Sequence, residues 1–184
     1  SVRLVKGAYW DTEIKLAQEK GLVDFPVYTA KNHTDLAYLA LAKRLMNASR
    51  YVHPQFASHN AYTLCAVSAL AAAIGPESCE VQKLHGMGDA VHEALGEIWK
   101  VPLRVYAPVG RHRDLLAYLV RRVIENGASS SFMNQLADSA VTIDTLVSDP
   151  YTVVQDVRRP ILVGDALFSP QRMNSRGFDV DNLQ

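Results

Sequence analysis

Cysteine is scarce in this 184-residue chain: Cys65 and Cys79 are its two, they stand in no metal-ligand spacing, and nothing suggests a disulfide framework. A reducing cytoplasm is the simplest setting, and neither thiol is a strong nucleophile candidate. Net charge is also lacking. Lysine plus arginine and aspartate plus glutamate number 19 each, so no long-range field favours nucleic acid or an anionic membrane surface. Long apolar runs are missing too: the longest, around Ala66 to Ile74, is too short and too alanine-rich to span a bilayer. The N-terminus carries no signal-peptide pattern, and a protein not integral to a membrane is expected. Three familiar loops are absent as well: the Gly-x-x-x-x-Gly-Lys-Ser/Thr phosphate loop, the Gly-x-Gly-x-x-Gly dinucleotide fingerprint and the Gly-x-Ser-x-Gly elbow. The common nucleotide and hydrolase routes are thereby closed.

What the chain does have is 48% hydrophobic residues, enough for the core of one ordinary domain. Segments Val2 to Ala8, His53 to Ser58, Glu80 to His85 and Leu103 to Ala107 read as buried strands. Helical patterns follow over Thr12 to Glu19, Asp35 to Asn47, Ala61 to Ile74 and Asp89 to Trp99, and a last helix is stopped by Asn126-Gly127. Such βα alternation predicts parallel strands covered on both faces, in a doubly wound sheet or a closed barrel. From Leu136 onward the periodicity fades, and Ser169 to Gln184 reads as a tail or linker.

In either parallel architecture, chemistry gathers at the carboxyl ends of the strands. The residues there are Lys6-Gly7-Ala8-Tyr9-Trp10, Ser58-His59-Asn60, Leu84-His85-Gly86-Met87-Gly88 and Tyr106-Ala107-Pro108-Val109-Gly110. They are rich in hydrogen-bond donors, aromatics and glycines, and poor in carboxylates. A metal hydrolase would place Asp, Glu or several His here, and His59 with His85 is thin support for one; no metal is expected. A strand-end histidine more often bonds a backbone group. The glycines of His85-Gly86-Met87-Gly88 could admit a phosphate to backbone amides, although a tight βα turn explains them equally well. Tyr9 and Trp10 could flank a flat ring or pack in a core.

The last helix is the most informative. At about 100° per residue, Leu115, Leu116, Leu119, Val120, Val123 and Ile124 fill one broad face. Tyr118, Arg121, Arg122 and Glu125 share an arc of roughly 100° on the other. Two guanidiniums pointing the same way suit bidentate recognition of a small carboxylate or phosphate. The simpler reading is a solvated face on which Arg121 and Glu125 form an i,i+4 pair.

Five segments in order carry a resemblance: Arg3-Leu4-Val5-Lys6-Gly7-Ala8-Tyr9-Trp10-Asp11, Gln55-Phe56-Ala57-Ser58-His59-Asn60, Leu84-His85-Gly86-Met87-Gly88, Tyr106-Ala107-Pro108-Val109-Gly110, and Tyr118-Leu119-Val120-Arg121-Arg122 to Asn126-Gly127. Together they resemble the proline dehydrogenase domain of the bifunctional proline utilization A (PutA) proteins. Asn174-Ser175-Arg176-Gly177-Phe178-Asp179 is similar to the segment that leads into their second catalytic domain.

The resemblance implies an α/β fold: half, strands five to eight, of a distorted (β/α)8 TIM barrel with an irregular C-terminal tail. Residues 1–135 would form that C-terminal half-barrel and 136–184 the extension and linker. It implies FAD-dependent oxidation of L-proline to Δ1-pyrroline-5-carboxylate by hydride transfer to flavin N5, with a membrane quinone as electron acceptor. Arg121 and Arg122 would clamp the proline carboxylate, Tyr106 and Tyr118 would shape the pocket, and Arg3 would sit beside the flavin, so that Arg3 and Tyr106 are the catalytic candidates. Cofactor contacts would come from Arg3, Val5, Lys6, Gly7, Ala8, Tyr9, Trp10, Thr29, Lys31, Ser58, His59, Asn60, Gln82, Glu125 and Phe132. The implied location is cytoplasmic or peripheral at the inner membrane, with no direct nucleic-acid binding from this chain.

The chain opens inside a strand and matches only part of the family's barrel, so it is expected to be one piece of a larger domain. Its partners would be the N-terminal half of the barrel and a pyrroline-5-carboxylate dehydrogenase domain. Two other functions compete. A barrel aldolase or isomerase could use Arg121 and Arg122 as a phosphate site, and a noncatalytic interaction module could keep the fold without the activity.

Overall fold

The computed structural model describes residues 1–7, 9–127, 131–154 and 161–175, without the side chains of 125–127 and 133. The chain divides into two compact units: Ser1–Lys6 with Asp35–Asp149, and Gly7–Thr34 with Pro150–Gln184.

The first unit is built on a four-stranded sheet of β1 (Val2–Leu4), β2 (Pro54–Ala57), β3 (Glu80–Leu84) and β4 (Leu103–Tyr106). The strands lie in sequence order and every neighbouring pair is parallel, as the βα alternation predicts. The crossovers run through α2 (Lys31–Asn47), α3 (Ala61–Ile74) and α4 (Asp89–Ile98), and α5 (His112–Gly127) follows β4. The register aligns Arg3 with Gln55, Gln55 with Glu80, Gln82 with Arg104 and Leu84 with Tyr106.

Because side chains alternate across a strand, this register separates two faces. Leu4, Phe56 and Val81 share the face that packs on helices. They join Tyr38, Ala42 and Met46 of α2, Leu64, Val67 and Ala71 of α3, and Leu95 of α4 in one apolar core. Arg3, Gln55, Glu80, Gln82, Arg104 and Tyr106 share the other face, which is polar. The helix boundaries have local causes. Asn60 caps α3 by accepting the Thr63 N–H at 2.9 Å through its side-chain oxygen, and Gly75, at φ 123°, ends it.

Besides shifts of one or two residues at other ends, the structure departs from the sequence-based expectation in three places. β1 stops at Leu4 rather than Ala8, because the Lys6 side chain leaves the strand for α2 and α3 and Gly7 turns to φ 85°. Helix α2 begins one turn before Asp35, at Lys31. The region beyond Leu136 is not structureless: after α6 (Phe132–Ala137) come α7 (Ile143–Leu146) and α8 (Pro150–Val153), and a 3-10 turn spans Gly164–Ala166. These pieces are too short for hydrophobic periodicity to reveal, and side-chain caps mark the starts of α6 and α7. Ser131 accepts the Asn134 N–H and Thr142 the Thr145 N–H.

The second unit centres on α1 (Trp10–Glu19), which buries Ile14 and Ala17. Trp10 donates its indole N–H to the Tyr28 carbonyl at 2.8 Å, and Gln18 donates to the Leu162 carbonyl at 2.9 Å. Gly164 approaches α1 so closely that a Cβ there would lie 2.4 Å from the Gln18 carbonyl oxygen. No helix among the described residues is long and apolar enough to cross a membrane.

Candidate functional site

In a parallel sheet the carboxyl ends of all strands open at one edge, so the loops after β1, β2, β3 and β4 share a rim. At the β4 end the Tyr106 ring lies beneath Arg3, whose guanidinium carbon is 4.4 Å from the ring centroid. Burial raises the Tyr106 hydroxyl pKa. Arg3 opposes the rise, Tyr118 adds to it and Arg122 counters it, so four predicted site residues act on one another here. The guanidinium carbon of Arg122 stands 5.3 Å from the Tyr118 ring centroid.

Helix α5 reverses the usual arrangement of an amphipathic helix. Its polar arc is the more buried one: Tyr118, Arg121 and Arg122 are half-buried, along with Leu115. The apolar face is open, with Leu116 at 60%, Val123 at 70% and Ile124 at 58% exposure. A freely solvated arginine pair is therefore not what this helix presents. The expected Arg121–Glu125 pair involves a side chain outside the described residues.

At the β2 end, His59 accepts the Leu84 backbone N–H at its Nε2, 3.3 Å away, which assigns its ring proton to Nδ1. Burial, reinforced by nearby His92, Arg122 and Lys83, pushes the His59 pKa down to about 4, and the ring is neutral near pH 7. His92, itself buried, stands edge-on to His59 at 5.8 Å between ring centroids, and its Nε2 lies 3.2 Å from the Ser58 carbonyl oxygen. Ser58 accepts the Asn60 N–H through its hydroxyl at 3.2 Å. Ser58 and Asn60 thus shape the start of α3, and His59 presents a neutral N–H donor.

Other expected residues are placed as follows. The Lys6 ammonium reaches Asp35 at 2.5 Å and Thr63 at 2.9 Å, beside the Tyr38 ring. Val5 is exposed, Phe132 opens α6 half-buried, and Gln82 is buried on the polar sheet face. Gly7, Tyr9, Trp10, Thr29 and Lys31 belong to the second unit, where Tyr9 takes a left-handed backbone at φ 58° just before α1. The residue Ala8 and the side chain of Glu125 lie outside the described residues.

Two features were not anticipated. The first is a network on the polar sheet face, in which the buried Glu80 carboxylate gathers Arg104, Gln55 and Gln82. Polar residues at every second strand position (Glu80 and Gln82, with Gln55 and Arg104 in register) were the signal for it. The second is His92, hidden inside the amphipathic pattern of α4.

The fold is thus a parallel α/β unit that gathers Arg3, Tyr106, Tyr118 and Arg122 near the carboxyl end of β4. Comparison with known proteins narrows it. The model of the proline dehydrogenase family matches residues 1–135, and the chain belongs to that family. It is 46% identical over 199 residues to the bifunctional protein PutA of Klebsiella aerogenes, covering 98% of this chain and 15% of the relative. The PutA of Rhizobium meliloti is 47% identical over 192 residues, and a hydroxyproline dehydrogenase of Xenopus laevis 31% over 134 residues, or 68% of this chain and 28% of that protein. Among solved structures, PutA of Bradyrhizobium japonicum superposes with a TM-score of 0.88 at 50% identity, over 96% of this chain and 18% of that one. PutA of Bdellovibrio bacteriovorus gives 0.77 at 36% identity, over 85% of this chain and 16% of that one. The chain thus spans 15% of the length of the PutA relatives it matches.

Proposed function

We propose that this chain is the C-terminal half, strands five to eight, of the (β/α)8 barrel of an FAD-dependent proline dehydrogenase. Residues 1–135 belong to the half-barrel and 136–184 to an extension and linker. The reaction is oxidation of L-proline to Δ1-pyrroline-5-carboxylate, within a cytoplasmic or peripherally membrane-associated protein that also carries a pyrroline-5-carboxylate dehydrogenase domain. The observation that carries this reading is the inverted burial of α5: two guanidiniums half-buried beside Tyr118 while leucine, valine and isoleucine face outward. Two neighbouring guanidiniums, planar and permanently charged, suit bidentate recognition of a small carboxylate.

The half-barrel reading has separate support. The edge strands leave Val2, Leu103 and Val105 exposed, as edges awaiting further strands would be. The donor set also fits FAD. Arg3 lies over Tyr106, His59 is held as a neutral donor, and the rim offers Ser58 and Asn60. Val5, Lys6, Gly7, Ala8, Tyr9, Trp10, Thr29, Lys31, Gln82, Glu125 and Phe132 complete the set of residues that would hold it. When bound, FAD would supply the two-electron acceptor, with N5 as the expected site for the hydride of the proline ring carbon next to nitrogen and a quinone as the expected onward acceptor.

The residues of this chain provide orientation and charge. Arg121 and Arg122 fix the proline carboxylate through charge-assisted hydrogen bonds, which sets the distance of the reacting carbon. Tyr106 and Tyr118 wall the ring and exclude water. Arg3 holds a cation where negative charge accumulates on reduction of the cofactor.

The test is a pair of measurements on the full-length protein that carries this chain. Copurified flavin should give the near-ultraviolet and visible bands of the oxidised cofactor. Proline should reduce it in a single-turnover mixing experiment. A folded protein without flavin would favour the aldolase, isomerase or interaction-module readings, and bound flavin that proline leaves oxidised would reject the substrate.

A further inference from the structure

Glu80 opens β3 on the polar face of the sheet and is only 4% exposed. Arg104 donates to it twice, Nε to Oε1 at 2.7 Å and Nη2 to Oε2 at 2.8 Å. Gln55 Nε2 reaches Oε1 at 3.0 Å and Gln82 Nε2 at 2.7 Å, while His53 Nε2 stands 3.5 Å from Oε2. These donors, Arg104 foremost, hold the Glu80 carboxyl down at about 2, so near pH 7 it is ionised and can only accept.

That single fact orients Gln82. An amide is symmetric in shape but not in hydrogen bonding, and a carboxylate selects the NH2 end. With its NH2 turned back to Glu80, Gln82 has its carbonyl oxygen left over. That oxygen has no partner among the described residues, although Gln82 is only 5% exposed. Gln82 also lies two residues nearer than Glu80 to the carboxyl end of β3, where the candidate site opens. With one end of the amide pinned, the acceptor end is available to a ligand that brings a donor.

We propose that Glu80 is a positioning residue: by pinning the Gln82 amide it presents the Gln82 carbonyl oxygen as a hydrogen-bond acceptor for an N–H or O–H of FAD. The inference rests on the reading that Gln82 faces the cofactor. A purely structural Glu80–Arg104 pair would stabilise the sheet and leave cofactor affinity independent of Glu80.

A double-mutant cycle in the full-length protein separates the two, read as the FAD dissociation constant of stripped protein by flavin fluorescence and as the thermal midpoint of the apoprotein. Gln82→Met should weaken FAD binding about tenfold, the upper range for one neutral hydrogen bond. Glu80→Gln should weaken it by a similar factor, and the double variant no further than either single one. Losses that multiply in the double variant would overturn the proposal, as would an unchanged dissociation constant for Gln82→Met. A second variant avoids disturbing the Glu80–Arg104 pair. Protonated Gln82→Glu can donate its hydroxyl to Glu80 and keep its carbonyl free, whereas the ionised form is repelled. It should match wild-type affinity at low pH and weaken as pH rises, with Glu80 and its partners Arg104 and His53 as the titratable and charged groups that face it. A variant that tracks wild type across the whole range would refute the pinning. Wild-type protein that binds no FAD at all would instead reject the cofactor reading itself.

Discussion

Helices α3 and α5 are both rich in aliphatic residues, yet they use them in opposite ways. In α3, Leu64, Val67 and Ala71 are fully buried against the sheet, and the helix is a structural layer. In α5, Leu116, Leu119, Val120, Val123 and Ile124 are exposed and the tyrosine–arginine arc is turned inward. Apolar content alone does not say which face a helix buries. α3 buries its aliphatic residues in the core of the first unit, whereas α5 exposes them and half-buries Tyr118, Arg121 and Arg122. The same division runs through the sheet, whose helix-side face is apolar core and whose opposite face carries Arg3, Gln55, Glu80, Gln82 and Arg104.

The contrast can be broken at either helix. Leu64→Ala should cost the most stability, about 2–5 kcal/mol, because the side chain is fully buried and its cavity cannot collapse against a parallel sheet; urea unfolding measures it. A loss under 1 kcal/mol would show that α3 is not the structural layer described. Arg121→Met and Arg122→Met should leave folding nearly intact. Each should raise the KM for proline by roughly 10- to 100-fold in the full-length enzyme with flavin retained, since a charged hydrogen bond is worth about 1.5–3 kcal/mol. Unchanged proline kinetics would remove both arginines from the substrate site.

Acid should expose the polar features in sequence. His59 has a folded-state pKa of about 4, below its ordinary 6.5, so the folded state binds fewer protons; stability from the neutral ring is present above pH 6.5 and is lost as pH falls toward 4. Glu80 is likewise depressed, from 4.5 to about 2, and its contribution fades between those values. His59→Leu should flatten the first phase and leave the second, as read from denaturation midpoints against pH. Smaller still is the cap: Asn60→Ala should cost about 1 kcal/mol by orphaning the Thr63 N–H. Smallest is Val123→Ala in this chain alone, within about 0.5 kcal/mol, because there is little burial to lose. A larger cost in the full-length protein would locate the missing cover on α5.

Much of the fold was legible because strand and helix patterns alternate along the chain, punctuated by glycine and proline, and the limits of α3, Ala61 and Ile74, were read to the residue. The short helices beyond Leu136 were not, since four-residue elements carry no periodicity. The strand-end residues could be named in order from the sequence. Their individual work could not: Lys6 is engaged by Asp35 and Thr63, residues far from it along the chain, and the tautomer of His59 depends on a backbone amide of another strand.

The sequence by itself determined the βα rhythm, the parallel sheet and the family, because hydrophobic period, turn residues and ordered motifs are local properties. Only the tertiary structure decided which face of α5 turns inward, and which end of the Gln82 amide is free. Both depend on partners brought together from separate strands and helices, and burial and hydrogen-bond polarity exist only once those partners meet.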